Sequence, residues 1–258
     1  MHSGILRGVF VACLLMMASG PVPARELLAV GTSFPGVFER TAAGEYRGLA
    51  PSVLTVAFAS LGHTVRFAFY PWARAQRMVE RGQADILIGP YKSPAREARF
   101  AFAAEAFYRD PIVFYRRVDS RVRWSGDYRQ LAGLPIGIVR AWAYGSRFDD
   151  AHGQLDLVTV ESVENGLRML DMGRLALLAS NQRNTLPVLA ELGLNDEIVQ
   201  LEPLIDVQDG YFAFPPQESH RPLREAFDLV FRQMVAQGQL AVLAAHWRVD
   251  IPQAARRP

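Results

Sequence analysis

Short, uninterrupted apolar runs alternate along this chain with longer stretches in which apolar residues recur every third or fourth position. Continuous short runs read as strands buried on both faces, and the longer spacing reads as helices with one covered face. Strands are therefore predicted at Leu27–Val30, Val65–Phe69, Asp85–Ile88, Ile136–Val139, Leu155–Val160 and Leu175–Ala179. Helices are predicted at Pro51–Leu61, stopped by Gly62, at Ala73–Glu80, ending near Gly82, at Ala143–Asp150, at Val163–Met172, closed by Gly173, and from the last of those strands to Leu192. Leu223, Phe227, Val230, Phe231 and Met234 share one face of a further helix that ends near Gly238. Residues 111–115 and 208–214 read as extended. This alternation predicts an α/β architecture.

The first residues set the compartment. Met1–Arg7 is a short basic start, Gly8–Ala18 is mostly apolar, and Val22-Pro23-Ala24 offers small residues for cleavage. The pattern is that of a removable secretory signal over residues 1–24 and predicts a periplasmic protein. Its apolar core falls short of the about 20 residues that span a bilayer. Cys13, the only cysteine, lies inside this leader, so the exported product is expected to lack disulfides and cysteine-held metal. Net charge is +2 with basic residues scattered, which argues against a nucleic-acid partner. His63, His152, His220 and His246 are isolated, and no Ser-His-Asp order or paired-carboxylate spacing appears. Neither a metal nor a cofactor is expected.

Candidate chemistry concentrates in Ala84–Tyr108. The strand Asp85–Ile88 runs into Gly89-Pro90, a residue that tolerates close backbone approach followed by one that cannot extend a ladder. Ser93-Pro94 reads as a capped helix start, which puts Arg96 on an opening turn that favours negative charge. The planar fork of arginine suits a carboxylate or phosphate.

Strand, glycine, polar turn, arginine and then Phe102 and Tyr108 resemble the type II periplasmic solute-binding proteins of the amino-acid class, with their G-x-T-x-T-x-x-R and F-S-x-P-Y segments. Gly89, Tyr91, Ser93 and Arg96 fall on the glycine, the two threonines and the arginine. Gly48–Ser52 stands where that family has G-F-D-V-D, and Tyr70-Pro71-Trp72 where a tryptophan opens a helix. Gly133–Ile138 is similar to G-K-K-V-A-V, and Gly173–Asn181 to G-R-V-D-A-V-I-A-D. The resemblance implies two α/β lobes joined by two extended hinge segments: residues 25–110 in lobe one, 111–210 in lobe two with the crossings, and 211–258 returning to lobe one. It implies a monomer that closes on a small solute and delivers it to an ABC transporter.

Departures from the pattern are as informative. The aspartate that takes a ligand's ammonium group in amino-acid binders is Asn181 here, and the earlier aspartate of that motif is Ala176. The loop after the lobe-two strand, normally of small residues, is Arg140-Ala141-Trp142-Ala143-Tyr144. An anion clamp without a cation acceptor implies a carboxylated or otherwise anionic ligand, partly aromatic or cyclic. Candidate ligand contacts are Phe34, Trp72, Gly89, Tyr91, Ser93, Arg96, Arg140, Trp142, Tyr144 and Asn181. Plainer roles stand beside these: Trp72 in the core, Asn181 as a helix cap, Arg140 paired with a carboxylate. Two other functions share the fold. One is a dehydratase acting on cyclohexadienyl acids, for which Glu105 would have to face the cleft, and the other is a sensor reporting to a membrane receptor.

Overall fold

The computed structural model describes residues 25–252, so the expected signal segment and Cys13 lie outside the described residues. The chain begins with β1 (Glu26–Gly31), a small hairpin of β2 (Glu39–Arg40) and β3 (Tyr46–Arg47), α1 (Leu49–Ser60) and β4 (Thr64–Phe69). There follow α2 (Trp72–Glu80), β5 (Ile86–Tyr91), α3 (Pro94–Glu97), β6 (Ala101–Phe102) and the long β7 (Tyr108–Arg117). Next come β8 (Pro135–Val139), α4 (Ser146–Ala151), β9 (Asp156–Val160), α5 (Val163–Asp171), β10 (Leu177–Asn181) and α6 (Gln182–Leu192). The chain closes with β11 (Ile198–Gln200), β12 (Asp206–Phe214), α7 (Arg221–Ala236) and α8 (Gln239–Trp247).

The strands are hydrogen-bonded in the order β4-β1-β5-β12-β7-β10-β8-β9. At one end β4, β1 and β5 are parallel, and at the other β10, β8 and β9 are parallel. Between them β12 and β7 run antiparallel to each other, to β5 and to β10. Two parallel-stranded lobes thus share a central antiparallel pair, registered from Asp206 opposite Ile112 to Gly210 opposite Tyr108. The helices α1, α2, α7 and α8 cover the first lobe and α5 and α6 the second.

A large apolar cluster fills lobe one and continues past the central strands through Phe114, Trp124, Ile136 and Phe148. A smaller one, built on Val113, Tyr115, Leu167, Leu170 and Leu178, sits on the other face of the lobe-two sheet. At the junction Phe107 and Phe212 stack with ring centres 3.9 Å apart, and both are fully buried. Each such side chain contributes about 1.5–3 kcal/mol by leaving water.

Several elements differ from the sequence expectation, each for a local reason. β5 does not end at Gly89 but runs to Tyr91, because its pairing with β12 slips between Gly210 and Phe212. Pro90 sits in that bulge, where the missing N–H costs no ladder bond. The helix expected from Ala143 begins only at Ser146: Gly145 has φ +102, and the Tyr144 hydroxyl is held at the end of β8 by the Val139 N–H at 2.6 Å. β10 lies two residues later than expected and ends at Asn181, since its antiparallel pairing to β7 carries it into the hinge region. Gly238, at φ +75, turns the chain into α8, which the α7 periodicity did not announce.

Candidate functional site

The site lies where the C-terminal ends of β5 and β10 meet across the hinge strands. Ser93 caps the short α3 by accepting from the Arg96 N–H at 3.4 Å, as the sequence suggested, and this fixes where the Arg96 side chain departs. That side chain turns inward and is only 7% exposed. Its Nη1 donates to the Tyr91 carbonyl at 2.9 Å and its Nη2 to the Ala141 carbonyl of lobe two, also at 2.9 Å. Both acceptors are neutral, and Arg96 pairs with no carboxylate among the described residues. Burial lowers the guanidinium's pKa from its ordinary value, with the neighbouring Tyr91 and Tyr108 acting the other way. An arginine still keeps its proton under such conditions. The result is an enclosed positive charge without an acidic partner.

Around it is a pocket with about 20 Å³ of free space, lined by Phe34, Trp72, Gly89, Tyr91, Arg96, Tyr108, Trp142, Ala143 and Asn181. The structure therefore brings seven of the sequence candidates together: Phe34, Trp72, Gly89, Tyr91, Arg96, Trp142 and Asn181. Phe34 meets Trp72 edge-on at 5.8 Å, and the Arg96 guanidinium lies 5.9 Å from the Trp72 ring. Gly89 adopts φ +87, and a side chain there would come within 3.0 Å of the Tyr108 hydroxyl and 3.1 Å of Phe34. Tyr108 in turn donates to the Gly89 carbonyl at 2.7 Å, pinning the turn.

Three candidates fall elsewhere. Ser93 is spent on its cap, and Tyr144 is buried against Phe148 beneath the loop. Arg140 forms an exposed pair with Glu161, 2.6 Å at its shortest, and lines an outer groove of about 500 Å³. That groove adjoins the inner pocket through shared walls at Trp72 and Trp142 and also carries Glu164 and Glu191.

Behind the pocket is a buried polar chain that the sequence did not reveal. Asn181 Nδ2 donates to the Tyr91 hydroxyl at 3.1 Å, and that hydroxyl donates to Asp110 Oδ2 at 2.8 Å. Arg183 Nε completes the chain at Asp110 Oδ1, 2.7 Å away. Asp110 is 2% exposed, and burial raises its pKa, with Arg183 and Tyr91 opposing the rise. Burial, followed by the nearby Asp110 charge, pushes the Tyr91 hydroxyl well above its ordinary range. Asn181 also caps α6 by accepting from the Asn184 N–H at 2.8 Å. Both ends of its amide are thus engaged internally. Gln76, 3% exposed and one helical turn beyond Trp72, was equally missed, though its place on the apolar face of α2 was a readable signal. Asp110 and Arg183 lie far apart in the chain and carried none.

Among the described residues, no carboxylate lines the inner pocket. Glu105 is about half exposed and lies 3.8 Å from Arg232 of α7, away from the pocket. No group of three metal-ligating side chains occurs among the described residues.

The sequence model of the bacterial extracellular solute-binding proteins, family 3, matches residues 28–250. The chain belongs to that family. No curated protein matches this solute-binding protein. Among solved structures it is similar to a histidine kinase sensor domain with similarity to periplasmic binding proteins, at a TM-score of 0.76 and 18% identity over 89% of this chain and 98% of that one. It is also similar to a mutant of ArgBP from T. maritima, with a TM-score of 0.71 and 17% identity over 87% and 95% of the two chains. EhuB in complex with hydroxyectoine gives 0.72 and 19% over 87% and 89%. These likenesses establish the two-lobed type II periplasmic binding fold.

Proposed function

We propose that this family 3 protein captures a small carboxylated solute between its lobes in the periplasm and hands it to an ABC transporter. One observation carries the reading: Arg96 is buried at the lobe junction with only carbonyl oxygens as partners. A desolvated guanidinium gains most from a carboxylate that meets its fork in two places. Asp110, the buried acid behind the pocket, is already bound by Arg183 and Tyr91, so the pocket's net charge favours an anion. Phe34, Trp72, Tyr91 and Trp142 supply flat apolar walls, which suit a cyclic or aromatic body. Gly89 and Asn181 complete the wall, and Arg140 and the outer groove would meet whatever part of the solute projects outward.

Closure would bend the paired strands β7 and β12 near Tyr108–Ile112 and Asp206–Gly210. We take residues 25–110 and 211–252 as one lobe and 111–210 as the other. A ligand touching both shifts the open and closed populations by its differential affinity. No covalent step is required. A second reading, a ligand sensor for a membrane receptor, draws support from the likeness to the histidine kinase sensor domain.

Thermal-shift screening of the purified chain against amino acids, organic acids, aromatic acids and amines tests the proposal. A carboxylate at 100 times its Kd adds about 2.7 kcal/mol of stability. Stabilisation by amines alone, or product formation from prephenate or arogenate, would end it.

A further inference from the structure

Three donors of lobe one converge on a single oxygen of lobe two. The Ala141 carbonyl accepts from Arg96 Nη2 at 2.9 Å, from Trp72 Nε1 at 3.1 Å and, more loosely, from Gln76 Nε2 at 3.5 Å. Trp72 and Gln76 lie four positions apart on α2, so the helix presents both to the same side. A carbonyl offers two lone pairs, one fewer than the donors that surround it, whereas a carboxylate offers about four acceptor sites. Ala141 holds φ +62, a conformation that residues other than glycine seldom adopt. From this strained position the loop reaches over the cleft and supplies an acceptor to lobe one.

We propose that the Ala141 carbonyl holds the place of a ligand carboxylate, and that Gln76 joins Arg96 and Trp72 as a specificity-determining donor to that group. This rests on the reading of the cleft as a solute site and extends it in two ways. Binding is an exchange, because about 20 Å³ of free space holds roughly one water, so the loop Arg140–Gly145 must withdraw as the ligand enters. The cradle also has one charged donor and two neutral ones, which matches a monoanion. A dianion would bring one buried charge without a counterpart.

The test uses acetate, the smallest organic carboxylate of this class, titrated into the mature protein with sodium chloride at matched ionic strength as the control. The readout is the indole N–H resonance of Trp72, identified by its loss in Trp72→Phe. Acetate is expected to move this resonance while leaving that of Trp124, which donates to the Pro203 carbonyl, in place. In Gln76→Met, which keeps the volume of the side chain, acetate binding should weaken roughly tenfold, the size of one hydrogen bond to a charged group. A purely structural Gln76 would change the melting temperature of that variant but not its acetate affinity.

Equal affinity in Gln76→Met and the parent overturns the inference, as does a Trp72 resonance that acetate leaves unmoved in the parent. The second readout needs no variant, so a misfolded Gln76→Met does not shield the idea. Loss of acetate binding in Arg96→Ala alongside an unaffected Gln76→Met would discard the cradle and keep the solute site. Binding indifferent to both substitutions would discard the solute site as well.

Discussion

The side-chain amide of Asn181 donates to the hydroxyl of Tyr91 at 3.1 Å, linking the end of β10 in one lobe to the end of β5 in the other. By the sequence resemblance, this contact stands at the position where amino-acid binders carry the aspartate for their ligand's ammonium group. The hydroxyl in turn donates a hydrogen bond to Asp110, which also pairs with Arg183. Acidic charge is therefore present near the pocket but is consumed one layer behind it. Under the proposed function, the buried positive charge of Arg96 is what selects the ligand.

Arg96→Ala should weaken binding of a carboxylated ligand by about 2–5 kcal/mol, the usual cost of stripping one partner from a buried charged contact. Arg96→Lys should recover only part of this, since an ammonium lacks the fork. Isothermal titration with a ligand found by screening measures both, and unchanged affinity in the alanine variant would refute the clamp.

Asn181→Asp should lower the stability of the ligand-free protein by about 1–3 kcal/mol, because Tyr91 has one proton and already donates it to Asp110. An ammonium-bearing ligand would satisfy the new carboxylate, so the variant should gain affinity for amino acids over matched simple acids. Urea denaturation and thermal shifts read the two effects. A variant as stable as the parent and without that preference would show that the pocket does not have the geometry described.

Arg183→Met should destabilise the fold by about 3–5 kcal/mol, since it leaves the Asp110 carboxylate buried and unpaired. The loss should be larger at alkaline than at acidic pH, where the carboxyl can take up a proton. Denaturation curves at several pH values would show this, and a pH-independent loss would contradict it.

Asp110→Asn tests the sign of the buried acid itself. Burial holds the folded pKa of Asp110 above its unfolded value near 4. A raised folded pKa contributes stability that is fully present below the unfolded pKa and is lost as pH rises through the folded one. The stability of the parent relative to Asp110→Asn should therefore be greatest below about pH 4 and shrink as pH increases. A gap that widens with pH would mean that Arg183 outweighs desolvation.

Sequence alone was a good guide to the turn and cap around Arg96 and a poor one to their surroundings. Gly89, Ser93 and Arg96 are close in the chain, so turn chemistry, cap and charge could be read together. The outward departure of Arg140 toward Glu161 depended on a residue 21 positions away, and the burial of Tyr144 on how Gly145 delays α4. Strand ends moved by two or three positions at β5 and β10 because the hinge strands, not local propensity, decide where pairing stops.

Local periodicity and short-range spacing determined the alternation of strands and helices, the α/β class and the placing of one arginine on a capped turn shortly after a strand. Only the folded chain decided that this arginine would be buried, that the acid behind the pocket, Asp110, would be spent on Arg183, and that the carbonyl of Ala141 would reach Arg96 from the opposite lobe. The division has a physical cause. Backbone preference acts over a few residues, whereas burial and pairing of charge depend on which distant segments the sheet order brings together.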